Sequence, residues 1–135
     1  MAVRLELKDV SKIFEKDGEP VRAVDAVSLS VAPGEMVTFL GPSGCGKTTT
    51  LRMVAGFESP SGGEITLDGR DVTGLPVNRR DMGFVFQNYA LFPHMSVFEK
   101  VAYGLRVKGL EEGMIGRRVR EGLDLVGLED RKSVV

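Results

Sequence analysis

A chain of 135 residues, 42% hydrophobic and 27% charged, has the size and composition of one ordinary domain and can bury a real core. Its 18 basic and 19 acidic side chains leave a formal charge of -1 and are mixed along the sequence, which excludes a basic stripe for nucleic acid and an acidic disordered tail. No apolar run approaches the roughly 18 to 20 residues of a membrane-spanning helix, the amino terminus MAVRLELKDV lacks a secretion-signal layout, and a single cysteine, Cys45, permits no internal disulfide, so the chain is expected in the reducing cytosol.

Val3, Leu5 and Leu7 alternate with Arg4, Glu6 and Lys8, the period of a strand with one buried face. Val27, Leu29 and Val31 against Ser28 and Ser30 place a second strand within 21–31, and the polar EKDGEP between them is a turn, so the two are expected to pair antiparallel. After Pro33-Gly34, the apolar run 36–40 is expected as a fully buried strand of a parallel sheet. From Gly46 the pattern becomes helical, with Leu51, Val54 and Ala55 on one face and Gly56 placed to end it. ESPSGGEITLDG reads as a turn, a short strand around 65–67 and a second turn at Asp68-Gly69, and 83–86 is a second candidate for a buried parallel strand. Beyond Pro93, Ser96 and Glu99 have capping-box spacing ahead of Val97, Val101, Ala102 and Leu105. Ile115, Val119 and Leu123, spaced by four, predict a last helix that stops near Gly127.

Gly41-Pro42-Ser43-Gly44-Cys45-Gly46-Lys47-Thr48 fits the phosphate-loop pattern of glycine, four residues, glycine, lysine, then serine or threonine. The spacing has a chemical reason. Glycines let the backbone curl around a β-phosphate so that successive N–H groups form an anion nest, and the following helix aims its positive end at the same place. Lys47 is then the mobile cation for the β- and γ-phosphates, and Thr48 offers a hydroxyl to Mg²⁺. Cys45 reads as a small loop residue, because the nest uses backbone N–H groups. The motif alone leaves GTPases, small kinases, motor ATPases and transporters open.

Phe14 at the end of the first strand, GPSGCGKTTTLRMVAGFESPSGGEITLDG, and GFVFQNYALFPHMSVFEKVAYGL with Gln87 after the run 83–86 decide among these. Together they closely resemble the ATP-binding subunits of ABC importers, particularly the group serving sugars, polyamines and iron, and the likeness covers essentially the whole chain. The resemblance implies that Phe14 stacks on adenine, that Ser43 to Thr49 cradle the phosphates, and that Gln87 reaches Mg²⁺ and the attacking water. The nucleotide-binding set is then Phe14, Gly41, Pro42, Ser43, Gly44, Cys45, Gly46, Lys47, Thr48 and Thr49. Lys47 and Gln87 carry the catalytic roles, and Thr48 and Gln87 the metal. Read without the family, Phe14 is equally a core phenylalanine and Gln87 a surface amide. The resemblance also places Tyr89, Leu91, Phe92 and His94 in the groove that receives a helix from the transporter's membrane subunit, a contact that needs aromatic and aliphatic anchors. Packing against the chain's own helices is the plainer alternative.

The expected architecture is α/β: a P-loop NTPase core with an amino-terminal antiparallel β subdomain and the beginning of a helical subdomain. The β subdomain falls mostly in 1–35, the core in 36–95 and the helical start in 96–135. The resemblance implies ATP and Mg as cofactors, and transporter membrane subunits, a homodimer of the full-length ATPase subunit and, indirectly, a substrate-binding protein as partners. It implies no nucleic acid, and a cytoplasmic place, peripheral on the inner face of the cell membrane. The family's LSGGQ-type signature and Asp-Glu strand do not occur in these residues; Ser61-Gly62-Gly63, Leu67-Asp68-Gly69 and Leu128-Glu129-Asp130 only imitate parts of them. The chain is therefore expected to be the front part of such a subunit, an ATPase by family that lacks full hydrolysis alone. A soluble ABC-type ATPase outside transport and a non-catalytic nucleotide-binding fragment are the alternative readings.

Overall fold

A computed structural model describes residues 2–89 and 92–128. Contacts divide the chain into two compact units, Met1–Phe84 and Val85–Val135. The first holds strands β1 (Leu5–Lys16) and β2 (Glu19–Val31), helix α1 (Lys47–Ala55), and strands β3 (Gly62–Leu67) and β4 (Arg70–Asp71). The second holds helices α2 (Val97–Val107) and α3 (Glu112–Leu125).

The hairpin is longer than the alternation predicts, because Asp17 (φ 55°) and Gly18 (φ 80°) form a tight two-residue turn between the paired Lys16 and Glu19. Positive φ at both central residues matches the right-handed twist of the flanking strands. The four strands form one antiparallel sheet in the order β2-β1-β3-β4. Asp9 (φ 48°) bulges from β1, its N–H donating to the Ser28 hydroxyl at 2.9 Å, and the register shifts between Leu7 and Val10. Because side chains alternate faces along a strand, the extra residue sends Val10 to the same buried side as Leu7.

Leu7, Val10, Val24, Met53, Val54, Ile65 and Val72 form the core between this sheet and α1. Full burial of each such side chain is worth about 1.5–3 kcal/mol. The buried face of α1 comprises Thr50, Met53, Val54 and Ala55, whereas Leu51, expected inside, is 46% exposed. The helix is turned so that Thr50 bonds the Gly46 carbonyl at 2.9 Å and Met53 takes the central core position.

Neither run read as a buried parallel strand forms one. Residues 36–40 and 83–86 form no regular element and join no ladder, and Met36, Leu40 and Val85 are 91%, 96% and 81% exposed. The physical reason is pairing: a strand buried on both faces needs hydrogen-bonded neighbours and covering helices, and among the described residues neither run has a strand partner.

In the second unit, the capping box is present as expected, with Ser96 Oγ accepting from the Glu99 N–H and Glu99 Oε2 accepting from the Ser96 N–H. The predicted stripe Ile115, Val119 and Leu123 is buried against Ala102, with Val97, Phe98, Leu105 and Leu110 packed around it. Arg106 Nε donates to Glu112 Oε1 at 2.9 Å across the α2–α3 connection. Gly127 (φ 68°) follows the end of α3, where the sequence places the stop.

Candidate nucleotide-binding site

The loop 41–46 delivers the chain into the amino terminus of α1 through two residues that need positive φ, Gly44 (81°) and Gly46 (90°). Gly46 is also a point of close approach: a Cβ there would lie 2.5 Å from the Ala23 carbonyl oxygen of β2. Only glycine lets the loop pass this strand. Thr50 N–H makes the first helical bond, to Gly46 O at 2.8 Å, and Gly46 supplies no capping side chain. The amides of Lys47, Thr48 and Thr49 precede that bond, and no acidic residue occupies the first turn to offset the helix's positive end. This is the anion-binding geometry that the motif requires.

Lys47 Nζ donates to the carbonyls of Gly41 at 2.7 Å and Pro42 at 2.6 Å, and to Cys45 Sγ at 3.3 Å. Its ammonium thus bridges the two ends of the loop. Cys45 and Thr48 are exposed. Beside the loop lies an open cleft of about 480 Å³, lined among others by Arg22, Val24 and Asp25 of β2, by Phe39 and by Lys47. Arg22 and Asp25 pair across its rim at 2.6 Å.

Phe14 stands on β1 opposite Val21, 38% exposed, and lines a separate depression with Ile13, Gly18 and Pro20 rather than the cleft beside the loop. The first unit therefore holds Phe14 and all of residues 41–49. Gln87 lies in the second, exposed in a turn closed by Tyr89 N–H to Phe86 O at 2.9 Å. Tyr89 is 72% exposed with φ 59°. Phe92 packs its ring against Tyr103 of α2 and His94, with centroids 5.2 and 6.1 Å away. Leu91 lies outside the described residues, as do Glu129 and Asp130.

Sequence reasoning misses Arg80. It is 5% exposed, and its guanidinium reaches the carboxyl end of α1. Its NH1 donates to Met53 O and Val54 O at 2.7 Å each, Nε to Leu75 O at 2.8 Å and NH2 to Thr73 O at 3.1 Å. Burial pushes the guanidinium below its ordinary value while Asp71 opposes the shift, and it stays charged at neutral pH. No local pattern signals it, because its acceptors include carbonyls as far as 27 residues away.

A glycine-rich loop feeding a helix packed on an antiparallel sheet, followed by a helical pair, defines the chain as a P-loop protein of the ATP-binding cassette type. Residues 24–135 match the model of the family described as ABC transporter, and the chain belongs to that family. It is 55% identical over 129 residues to the spermidine/putrescine import ATP-binding protein PotA of Acidothermus cellulolyticus, covering 96% of this chain and 34% of that protein. It is 52% identical over 127 residues to the Fe(3+) ions import ATP-binding protein FbpC of Agrobacterium fabrum, covering 92% and 36%. The chain thus spans about a third of the length of these curated relatives. Among solved structures it is similar to the dimeric bacterial ABC transporter cassette MJ0796, with a TM-score of 0.84 at 32% identity over 96% of this chain and 60% of that one. The same cassette in a post-hydrolysis state bound to ADP and Pi gives 0.83.

Proposed function

We propose that this chain is the nucleotide-binding part of an importer's ATPase subunit, holding Mg-ATP so that a longer protein couples its hydrolysis to solute uptake. The observation that carries the proposal is the loop, whose glycines at positive φ lead into the uncapped, uncompensated amino terminus of α1. Phosphate oxygens would take the place of the Gly41 and Pro42 carbonyls as acceptors for Lys47, and the amides of residues 43–49 would surround the β-phosphate. Thr48 presents an exposed hydroxyl, and no cluster of three or more His, Cys, Asp or Glu side chains exists among the described residues. A divalent ion held by this hydroxyl, water and phosphate oxygens, with the Gln87 amide as a proposed further ligand, would suit Mg²⁺, a hard ion that keeps several waters. Phe14 would serve as the base platform.

The import relatives support a membrane-transporter setting. Tyr89, Leu91, Phe92 and His94 would face a membrane subunit, and two full-length subunits would close on nucleotide as the dimeric cassette does. No helix among the described residues is long and apolar enough to cross a membrane, and a cytoplasmic position against the membrane's inner face fits that role. The solute, a polyamine or Fe(3+) by the relatives' names, would be selected by partner subunits. The domain division at 1–35, 36–95 and 96–135 belongs to the same proposal. In-line attack on a γ-phosphate needs a positioned water and charge stabilisation beyond these residues, so the 135-residue chain holds ATP without turning it over at a transporter's rate. A phosphate-release assay beside a chain extended through a signature and an Asp-Glu strand tests this. Turnover by the longer chain alone is expected; equal turnover by the shorter one, abolished by Lys47→Ala, would overturn the assignment of roles.

A further inference from the structure

One face of the Phe14 ring is already occupied. Lys12 Nζ lies 4.9 Å from the ring centroid, within the range in which an ammonium is attracted to an aromatic face. Lys12 is not a wandering surface lysine: its side chain is only 12% exposed, its ammonium pairs with Glu58 Oε1 at 2.6 Å, and it donates to the Ser59 carbonyl at 2.7 Å. The segment that holds it is itself fixed at both ends. Glu58 N–H and Phe57 N–H donate to Arg52 O in the last turn of α1, while Ser61 N–H donates to Ser11 O and Ser61 Oγ accepts from Ile13 N–H. An unbroken series of contacts thus runs from the phosphate-loop helix through Glu58 and Lys12 to Phe14.

We infer that Lys12 is a positioning residue for base recognition: anchored by Glu58, it covers one face of Phe14 and holds the ring, relative to the phosphate-loop helix, so that its other face stacks a purine. The inference rests on the reading of Phe14 as base platform given above. A half-exposed phenylalanine near the end of a hairpin has rotamer freedom to lose when a base stacks on it. An anchored cation removes that freedom beforehand, and it draws ring electron density away from the open face. Lys12 acts only through the ring, so it favours ligands that carry a base and leaves the phosphate site alone.

Calorimetric titration of the 135-residue chain with Mg-ATP and with magnesium tripolyphosphate, which has the phosphates and no base, separates the two sites. Lys12→Met keeps the apolar stem and removes the charge, and should weaken ATP by about three- to fivefold. Phe14→Leu should weaken ATP by about tenfold. Tripolyphosphate affinity should be the same in wild type, both variants and their combination, and Lys12→Met should add nothing once Phe14 is gone. Equal loss of ATP and tripolyphosphate in Lys12→Met, an undiminished ATP affinity, or an undiminished effect in the Phe14→Leu background would each overturn the inference. Tripolyphosphate binding with no effect of Phe14→Leu would remove the base platform, and Lys12's role with it, while sparing the phosphate site. Failure of wild type to bind either ligand would overturn the proposed function itself.

Discussion

Arg80 donates to the carbonyl of Met53 at 2.7 Å, so the helix that begins with the phosphate loop is gripped at its far end by a buried cation. The same guanidinium reaches Val54, Leu75 and Thr73 carbonyls, tying the carboxyl end of α1 to the segment after β4. A cation at a helix carboxyl terminus also opposes the helix's negative end. Arg80→Met removes a donor from four carbonyls, of which that of Met53 keeps the Gly56 N–H at 3.2 Å, and is expected to cost about 2–4 kcal/mol, since each orphaned group costs about 1–3 kcal/mol. Urea unfolding checks it, and a midpoint equal to wild type would show the carbonyls re-satisfied by water.

Cys45 is exposed in the loop, with its sulfur 3.3 Å from Lys47 Nζ. Nucleotide filling the nest shields it. Alkylation by iodoacetamide should therefore be slowed about tenfold or more by Mg-ATP at ten times its dissociation constant, because only the empty tenth of the protein reacts. Mass spectrometry of the labelled chain reads the rate, and equal labelling with and without nucleotide would place the ligand elsewhere.

Glu99 closes the box at the start of α2, and its carboxyl is held below the ordinary glutamate value of 4.5 chiefly by the Ser96 backbone N–H and then by the Ser96 hydroxyl. A carboxylate whose folded value is depressed adds stability that is complete above its unfolded value and is lost as pH falls through the folded one. The Ser96 amide resonance should accordingly titrate below pH 4.5, and the start of α2 should fray only in that acid range. Titration at or above the ordinary value would mean that the box is open in solution.

The hairpin, the capping box, the stripe on α3 and the phosphate loop were legible because each is a local pattern: alternation, a three-residue spacing, a four-residue spacing, a glycine motif. What was not legible depends on partners distant in sequence. The runs 36–40 and 83–86 have the composition of buried strands, yet burial is conferred by neighbours, and Leu40 stands 96% exposed without one. The Asp9 bulge reverses which residues face inward beyond Leu7, a change invisible to alternation. Arg80 and Lys12 owe their roles to carbonyls and a carboxylate contributed by other segments, 27 residues away for Met53 and 47 for Ser59.

The central claim is that the loop binds nucleotide phosphates through Lys47 and the amides at the start of α1. Calorimetric titration of Mg-ATP into wild type and Lys47→Ala tests it most directly. Removal of a charge-assisted contact, on the order of 1.5–3 kcal/mol, predicts a loss of more than about tenfold in affinity with the fold unchanged by circular dichroism. Superimposable titration curves for the two proteins would contradict the account.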